Sequence, residues 1–166
     1  MSNLLVIRGI KPQDIFAERI NKKVDDKISV YTRIPHRFTG VRFWPSESNL
    51  RCWECDRIPA NYPKFIPVNP INTPAGLECD AHGHFDEWNC AVSYIMKNYP
   101  REQKCDLLRL VSIFEAEFSG RRKLRIQPSP PKTLMKKYCG ETGIGEHEYS
   151  AMISALNCDY ASPESY

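Results

Sequence analysis

An α+β protein is predicted, with short strands near the N-terminus, a compact cysteine-rich module, and helices behind it. Three features carry that expectation. Apolar residues alternate in the first third, cysteines cluster between Cys52 and Cys90, and two amphipathic segments follow. A chain of 166 residues can bury one sizeable core, or a small core beside a stapled module. The hydrophobic share of 42% and charged share of 26% are ordinary for a globular protein, and the 13 prolines should interrupt long regular elements.

The N-terminal third is read as segment 1–45. Leu4 to Ile7 is an apolar run suited to a buried strand or a helix start. Residues 8–27 carry Ile15, Phe16 and Ile20 at the spacing of a weakly amphipathic helix. Ile28 to Ile34 alternates as a strand does, and Val41 to Trp44 reads as another short strand ended by Pro45.

Segment 46–99 holds the cysteine-rich module. Ile58 to Gly76 carries five prolines and no periodicity, so it reads as a long loop with Lys64 to Val68 its one strand-like piece. A helix is predicted from Asp86, because Trp88, Val92, Ile95 and Tyr99 fall on one face.

Segment 100–160 is the helical region. Pro100 ends the first helix and opens a second, with Leu107, Leu110, Val111, Phe114 and Phe118 on one side and Gly120 as its stop. A basic segment, Arg121 to Ile126, comes next. Ser129 is placed to cap a helix from Pro130 to Tyr138, and a last helix is expected from about Gly145 to Asn157.

The chemistry lies in Cys52-Trp53-Glu54-Cys55 and in Gly83 to Cys90. A Cys-x-x-Cys pair sets two thiolates on one tight turn, close enough to hold a single Zn2+. Cys90, one turn into the following helix, is the expected third ligand. Such a module gains its fold when the ligands converge on the metal. Asp86, four residues earlier, points the same way and is the expected fourth ligand. Asp is also a good helix cap for the backbone N–H groups of Trp88 or Asn89, so that role stays open. His84 is the main competitor for the metal, with His82 and Cys79 behind it. An incomplete ligand set would leave room for a catalytic metal, but nothing directs Glu54 or Glu87 at the site, and no enzyme is expected. Cys105 and Cys139 read as core or free thiols.

Seven cysteines without a signal-peptide layout suggest a reducing compartment, and no apolar run is long enough to span a bilayer. Net charge is only +3, which permits a nucleic-acid partner through a local basic face without arguing for one. Arg121, Arg122, Lys123 and Arg125 are the candidates to meet phosphates, with Lys132, Lys136 and Lys137 beside them.

The motif Cys-Trp-Glu-Cys, followed by Gly83, Phe85, Asn89, Cys90, Ala91 and Tyr94, resembles the FCS/MYM-type treble-clef zinc finger. In particular it is similar to the late transcription factor 2-like proteins of poxviruses and other large DNA viruses. Those pair Cys-x-x-Cys with Gly-x-Phe-Cys-Ser-x-Asn-Cys-Ala-x-x-Tyr. Asp86 stands where that family usually has its third cysteine. Downstream, Ile126-Gln127-Pro128-Ser129-Pro130, then Leu134, Tyr138 and Gly140, resembles the family's Ile-x-Pro-Ala-Pro, Leu, Tyr and Gly-Gly, with Cys139 replacing the first glycine. The likeness covers roughly Leu50 to Tyr149.

It implies a small treble-clef module with zinc as cofactor, in an intracellular viral protein of the host nucleus or a cytoplasmic virus factory. Such a protein would support late-gene transcription by binding DNA or the transcription machinery, with neither membrane nor small-molecule substrate. A viral structural or host-interaction protein using the same finger as a protein-binding scaffold is the alternative.

Overall fold

The computed structural model describes residues 33–121 and 125–157, all within one compact unit. Leu4 to Ile7, the helix expected over 8–27 and most of the strand expected over 28–34 lie outside the described residues. Among the described residues the fold is mixed α and β, with a three-stranded antiparallel sheet and four α-helices. No helix among the described residues is long and apolar enough to cross a membrane.

The sheet comprises β1 (Arg37–Phe38), β2 (Lys64–Thr73) and β3 (Gly76–Phe85), with β3 central. β2 and β3 form a long hairpin over the stretch that reads as a loop, which is a correction to the sequence-based expectation. Pro67 and Pro70 are tolerated because β2 is an outer strand, where a missing N–H need not break a ladder. The register shifts between Lys64 and Ile66 and again between Val68 and Ile71, near Asn69, whose φ of 51° is left-handed. These irregularities remove the simple alternation by which a strand is recognised. Lys64 to Pro67 is buried, whereas Asn69 to Asn72 is exposed.

Val41 to Phe43 is a 3-10 turn rather than a strand. Gly40 takes φ 136°, and its carbonyl accepts from the Phe43 N–H at 3.1 Å. The turn leaves Phe43 outside and drives Trp44 into the core, where its indole N–H donates to the Pro63 carbonyl at 2.8 Å.

Helices α1 (Trp88–Asn98) and α2 (Arg101–Ser119) follow the apolar spacing. Pro100 separates them, and Gly120 closes α2 at φ 68°. Their aromatic residues meet those of the sheet. Phe38, Trp44, Phe65, Trp88, Phe114 and Phe118 form one cluster, and Phe118 stacks flat on Tyr62 with ring centres 4.3 Å apart.

The helix expected over 130–138 is broken into a 3-10 turn at Lys132–Leu134 and the single turn α3 (Lys136–Cys139). Met135 between them is extended and buried. The Leu134 carbonyl accepts from Ile144, and the Lys136 N–H donates to the Ile144 carbonyl, so a bridge replaces helical bonds. Ser129 makes no cap; its hydroxyl pairs with that of Ser93 at 2.9 Å. The last helix, α4 (Glu146–Leu156), lies where expected, with the Glu148 carboxylate accepting from the Gly145 N–H at 2.9 Å.

Candidate metal centre

The knuckle turn is built by its own backbone. Cys52 N–H donates to the Arg57 carbonyl at 2.8 Å, and Asp56 N–H returns to the Cys52 carbonyl at 3.1 Å. Asp56 takes φ 62°, a conformation that Asp reaches more readily than most residues. The N–H groups of Glu54 and Cys55 both point at the Cys52 sulfur, each at 3.4 Å. Trp53 N–H donates to the His84 carbonyl at 3.1 Å, which hangs the turn from the end of β3.

β3 then delivers the chain into α1, whose first turn carries Cys90. Helix N-termini favour thiolate there, because unpaired N–H groups and the helix dipole stabilise negative charge. The sulfurs of Cys52, Cys55 and Cys90 are all buried and lie within 4.8 Å of one another. Sulfurs bound to one tetrahedral ion at about 2.3 Å would sit about 3.8 Å apart, so a small contraction completes three corners.

The sulfurs are electrostatically interdependent. Hydrogen bonds from Cys52 and Cys90, with the backbone and guanidinium of Arg57, hold Cys55 far below the usual thiol range. Cys52 and Cys55, with burial, push Cys90 far up, and Cys52 rises through its contact with Cys55. The ionisation of each sulfur is thus tied to that of the other two, and a cation among them would favour the thiolate form of all three. Their donor set suits a soft or borderline metal ion.

Asp86 is 3% exposed and its Oδ2 is 3.9 Å from the Cys55 sulfur. It does not join the three sulfurs as a fourth atom within mutual reach. Its Oδ2 instead accepts from the Arg57 guanidinium as a buried ion pair. Nor does Asp86 cap α1: the N-cap is Glu87, which makes no side-chain capping bond. Burial raises the Asp86 carboxyl to about 6, with Arg57 opposing that shift.

Arg57 also lies over the Tyr149 ring at 4.8 Å and donates to the Ser150 hydroxyl, joining the centre to α4. Sequence reasoning missed Arg57, since a lone arginine two residues past a cysteine belongs to no pattern. Asp86, Arg57 and Ser150 line a cleft of about 520 Å³ together with Glu146 and His147.

The competing ligands are elsewhere engaged. His84 is half-buried against Trp53, ring centres 5.6 Å apart, and burial lowers its pKa. His82 is exposed, edge-on to the same indole at 5.3 Å. Cys79 is buried in β3 opposite Phe38, and its thiol is pushed up to about 12 by burial. Glu54 pairs with Lys97, and Glu87 stands 4.0 Å from Lys64. Cys105 and Cys139 are exposed.

Of the basic group, Arg121 and Arg125 are exposed, while Arg122 and Lys123 lie outside the described residues. Lys132 pairs with Asp56 at 3.2 Å and Lys137 with Glu146 at 3.4 Å. No protein-family model, curated protein or solved structure matches this chain.

Proposed function

We propose that the chain is a zinc-binding module of treble-clef type, in which Cys52, Cys55 and Cys90 hold a structural Zn2+ and Asp86 supplies the fourth ligand. What carries the reading is the convergence of three buried sulfurs, two from a tight turn and one from a helix start. Asp86, whose Oδ2 lies 3.9 Å from the Cys55 sulfur, would take the remaining corner with Arg57 as its outer partner. A carboxylate and three thiolates around Zn2+ leave net negative charge, and the Arg57 guanidinium offsets part of it.

Metal analysis of the purified protein tests the ligand set. One zinc per chain is expected, lost in Cys90→Ser, weakened in Asp86→Ala and retained in His84→Ala. A zinc-free wild type, purified under reducing conditions without chelator, overturns the reading.

The role proposed for this module is support of viral late-gene transcription inside the host cell, through DNA or the transcription machinery. It is supported by the motif likeness around Gly83, Phe85, Asn89, Cys90, Ala91 and Tyr94, and by the second motif from Ile126 to Gly140. Shared motifs carry a role less firmly than they carry a fold. Depleting the protein during infection is expected to leave early transcripts in place and remove late ones. Unchanged late transcripts, with the protein abundant in particles, would favour a structural role.

A further inference from the structure

The knuckle presents a second feature, outside the cleft that Arg57 lines. Trp53 is 42% exposed, whereas Trp44 and Trp88, the other two tryptophans of the chain, are buried. Four rings hold its indole: His82 at an interplanar angle of 90°, His84 at 64°, Phe85 at 66° and Tyr94 at 54°. None of these lies parallel to it, in contrast to the flat stack of Tyr62 on Phe118 at 4°. The indole is therefore held by four rings, and none of them is stacked parallel to it.

Beside it runs a groove of about 490 Å³, a volume within the range of small-ligand sites. Its polar side chains are Arg33, His36, His82 and His84, three of the four histidines in the chain. No carboxylate lines it among the described residues. Elsewhere, cations are matched by acids, as Arg37 is by Glu78 and Asp80, and Lys97 by Glu54. The groove thus joins a partly exposed indole to hydrogen-bonding imidazoles and one guanidinium, with no carboxylate among the described residues that line it.

We propose that this groove binds single-stranded nucleic acid, one base stacking on Trp53 and its phosphate meeting Arg33. Every base has a π face, so stacking on an exposed indole tolerates any sequence. A single guanidinium matches one backbone phosphate rather than the clustered charge of a nucleoside triphosphate. Duplex bases are stacked on one another and do not reach the indole. The site depends on the knuckle that zinc is proposed to hold, yet it is distinct from the metal ligands and from the Arg121–Arg125 segment.

The test uses the full chain with its zinc content measured in parallel. Trp53 dominates any fluorescence change caused by a surface ligand, because the other two indoles are buried. Single-stranded oligothymidylate of about 12 nucleotides is expected to quench the emission, and the same length of duplex to quench it far less. Trp53→Ala is expected to weaken oligonucleotide binding at least about fivefold, the scale of one lost base stack, with zinc content unchanged. Trp53→Phe, which keeps a ring, is expected to fall between, and Arg33→Gln to weaken binding and flatten its salt dependence.

Binding by Trp53→Ala equal to wild type, absence of quenching, or thymidine monophosphate binding as tightly as the oligonucleotide would each overturn the proposal. A wild type that lacks zinc but still loses binding on Trp53→Ala defeats the metal reading and leaves this one standing.

Discussion

Asn89 and Asn157 exchange side-chain amides: each Nδ2 donates to the other's Oδ1 at 3.1 Å. Asn89 Nδ2 donates further to the Gln127 carbonyl at 2.8 Å, and the Asn89 carbonyl accepts from Ser129 N–H at 3.1 Å. One buried residue, adjacent to Cys90, therefore fastens both the Gln127–Pro131 segment and the end of α4 to the first turn of α1. Asn89→Ala removes three side-chain bonds and leaves the Gln127 carbonyl without that donor. A loss of about 2–3 kcal/mol in unfolding free energy is expected, since unsatisfied buried polar groups cost about 1–3 kcal/mol each. Asn157→Ala should cost less, and the double variant little more than Asn89→Ala alone. Additive losses in urea unfolding would contradict the coupling.

Cysteine reactivity should separate protection by metal from protection by burial. In the zinc-loaded protein, alkylation followed by peptide mapping is expected to label Cys105 and Cys139, the exposed thiols among the described residues. After chelation, Cys52, Cys55 and Cys90 should become reactive, while Cys79 stays protected inside β3. Its raised thiol pKa, about 12, keeps it protonated at neutral pH. Acid should release the metal too, because each thiolate ligand must regain a proton, so affinity falls as pH falls. Equal labelling of the trio with and without chelator would sink the metal reading.

These contrasts also show where the sequence was legible. α1 and α2 could be read because Trp88, Val92 and Ile95, then Leu107, Val111 and Phe114, recur at the helical period and do face the core. The three cysteines were legible because Cys-x-x-Cys geometry is local and Cys90 opens a strongly periodic helix. The β2–β3 hairpin was not, since two prolines and two register shifts erase the strand period. Met135 was equally hidden: what breaks its helix is Ile144, a partner that no local pattern announces. The Asp86–Arg57 pair depends on how β3 and the knuckle turn meet, which is a tertiary fact.

Gly83 and Gly120 share nearly the same left-handed backbone, φ 70° and 68°, but not the same surroundings. A Cβ on Gly83 would lie 2.9 Å from Trp53 and from Phe85, whereas one on Gly120 meets nothing within 4 Å. Gly120→Ala should therefore cost only the backbone penalty, about 1–2 kcal/mol. Gly83→Ala should cost about 1–3 kcal/mol more from overpacking and shift tryptophan emission by displacing the indole. Equal melting temperatures for the two variants would show that Trp53 does not need the space.

Lys64 is 2% exposed at the start of β2, with its ammonium 4.3 Å from the Tyr62 ring centre and 4.0 Å from Glu87 Oε2. It also donates to the Asn61 side chain. Burial lowers its pKa below the ordinary 10.5, and Glu87 and Asp86 oppose the shift only in part. A lysine with a depressed folded pKa is penalised when charged. Its cost is fully present below the folded value and disappears as pH rises toward 10.5, because there the unfolded chain holds the extra proton. Lys64→Met should thus be about as stable as wild type at neutral pH, or more stable by about 1–2 kcal/mol. That advantage should shrink as the solution is made alkaline. Tyr62, whose phenol is raised by burial, loses stability at high pH in both proteins, so it cancels in the difference. Urea unfolding of both proteins from about pH 7 to 10.5 measures that difference. A difference that stays flat with pH, or a neutral-pH loss above about 2 kcal/mol on removing the charge, would mean that the ammonium is held by its partners as firmly as water would hold it.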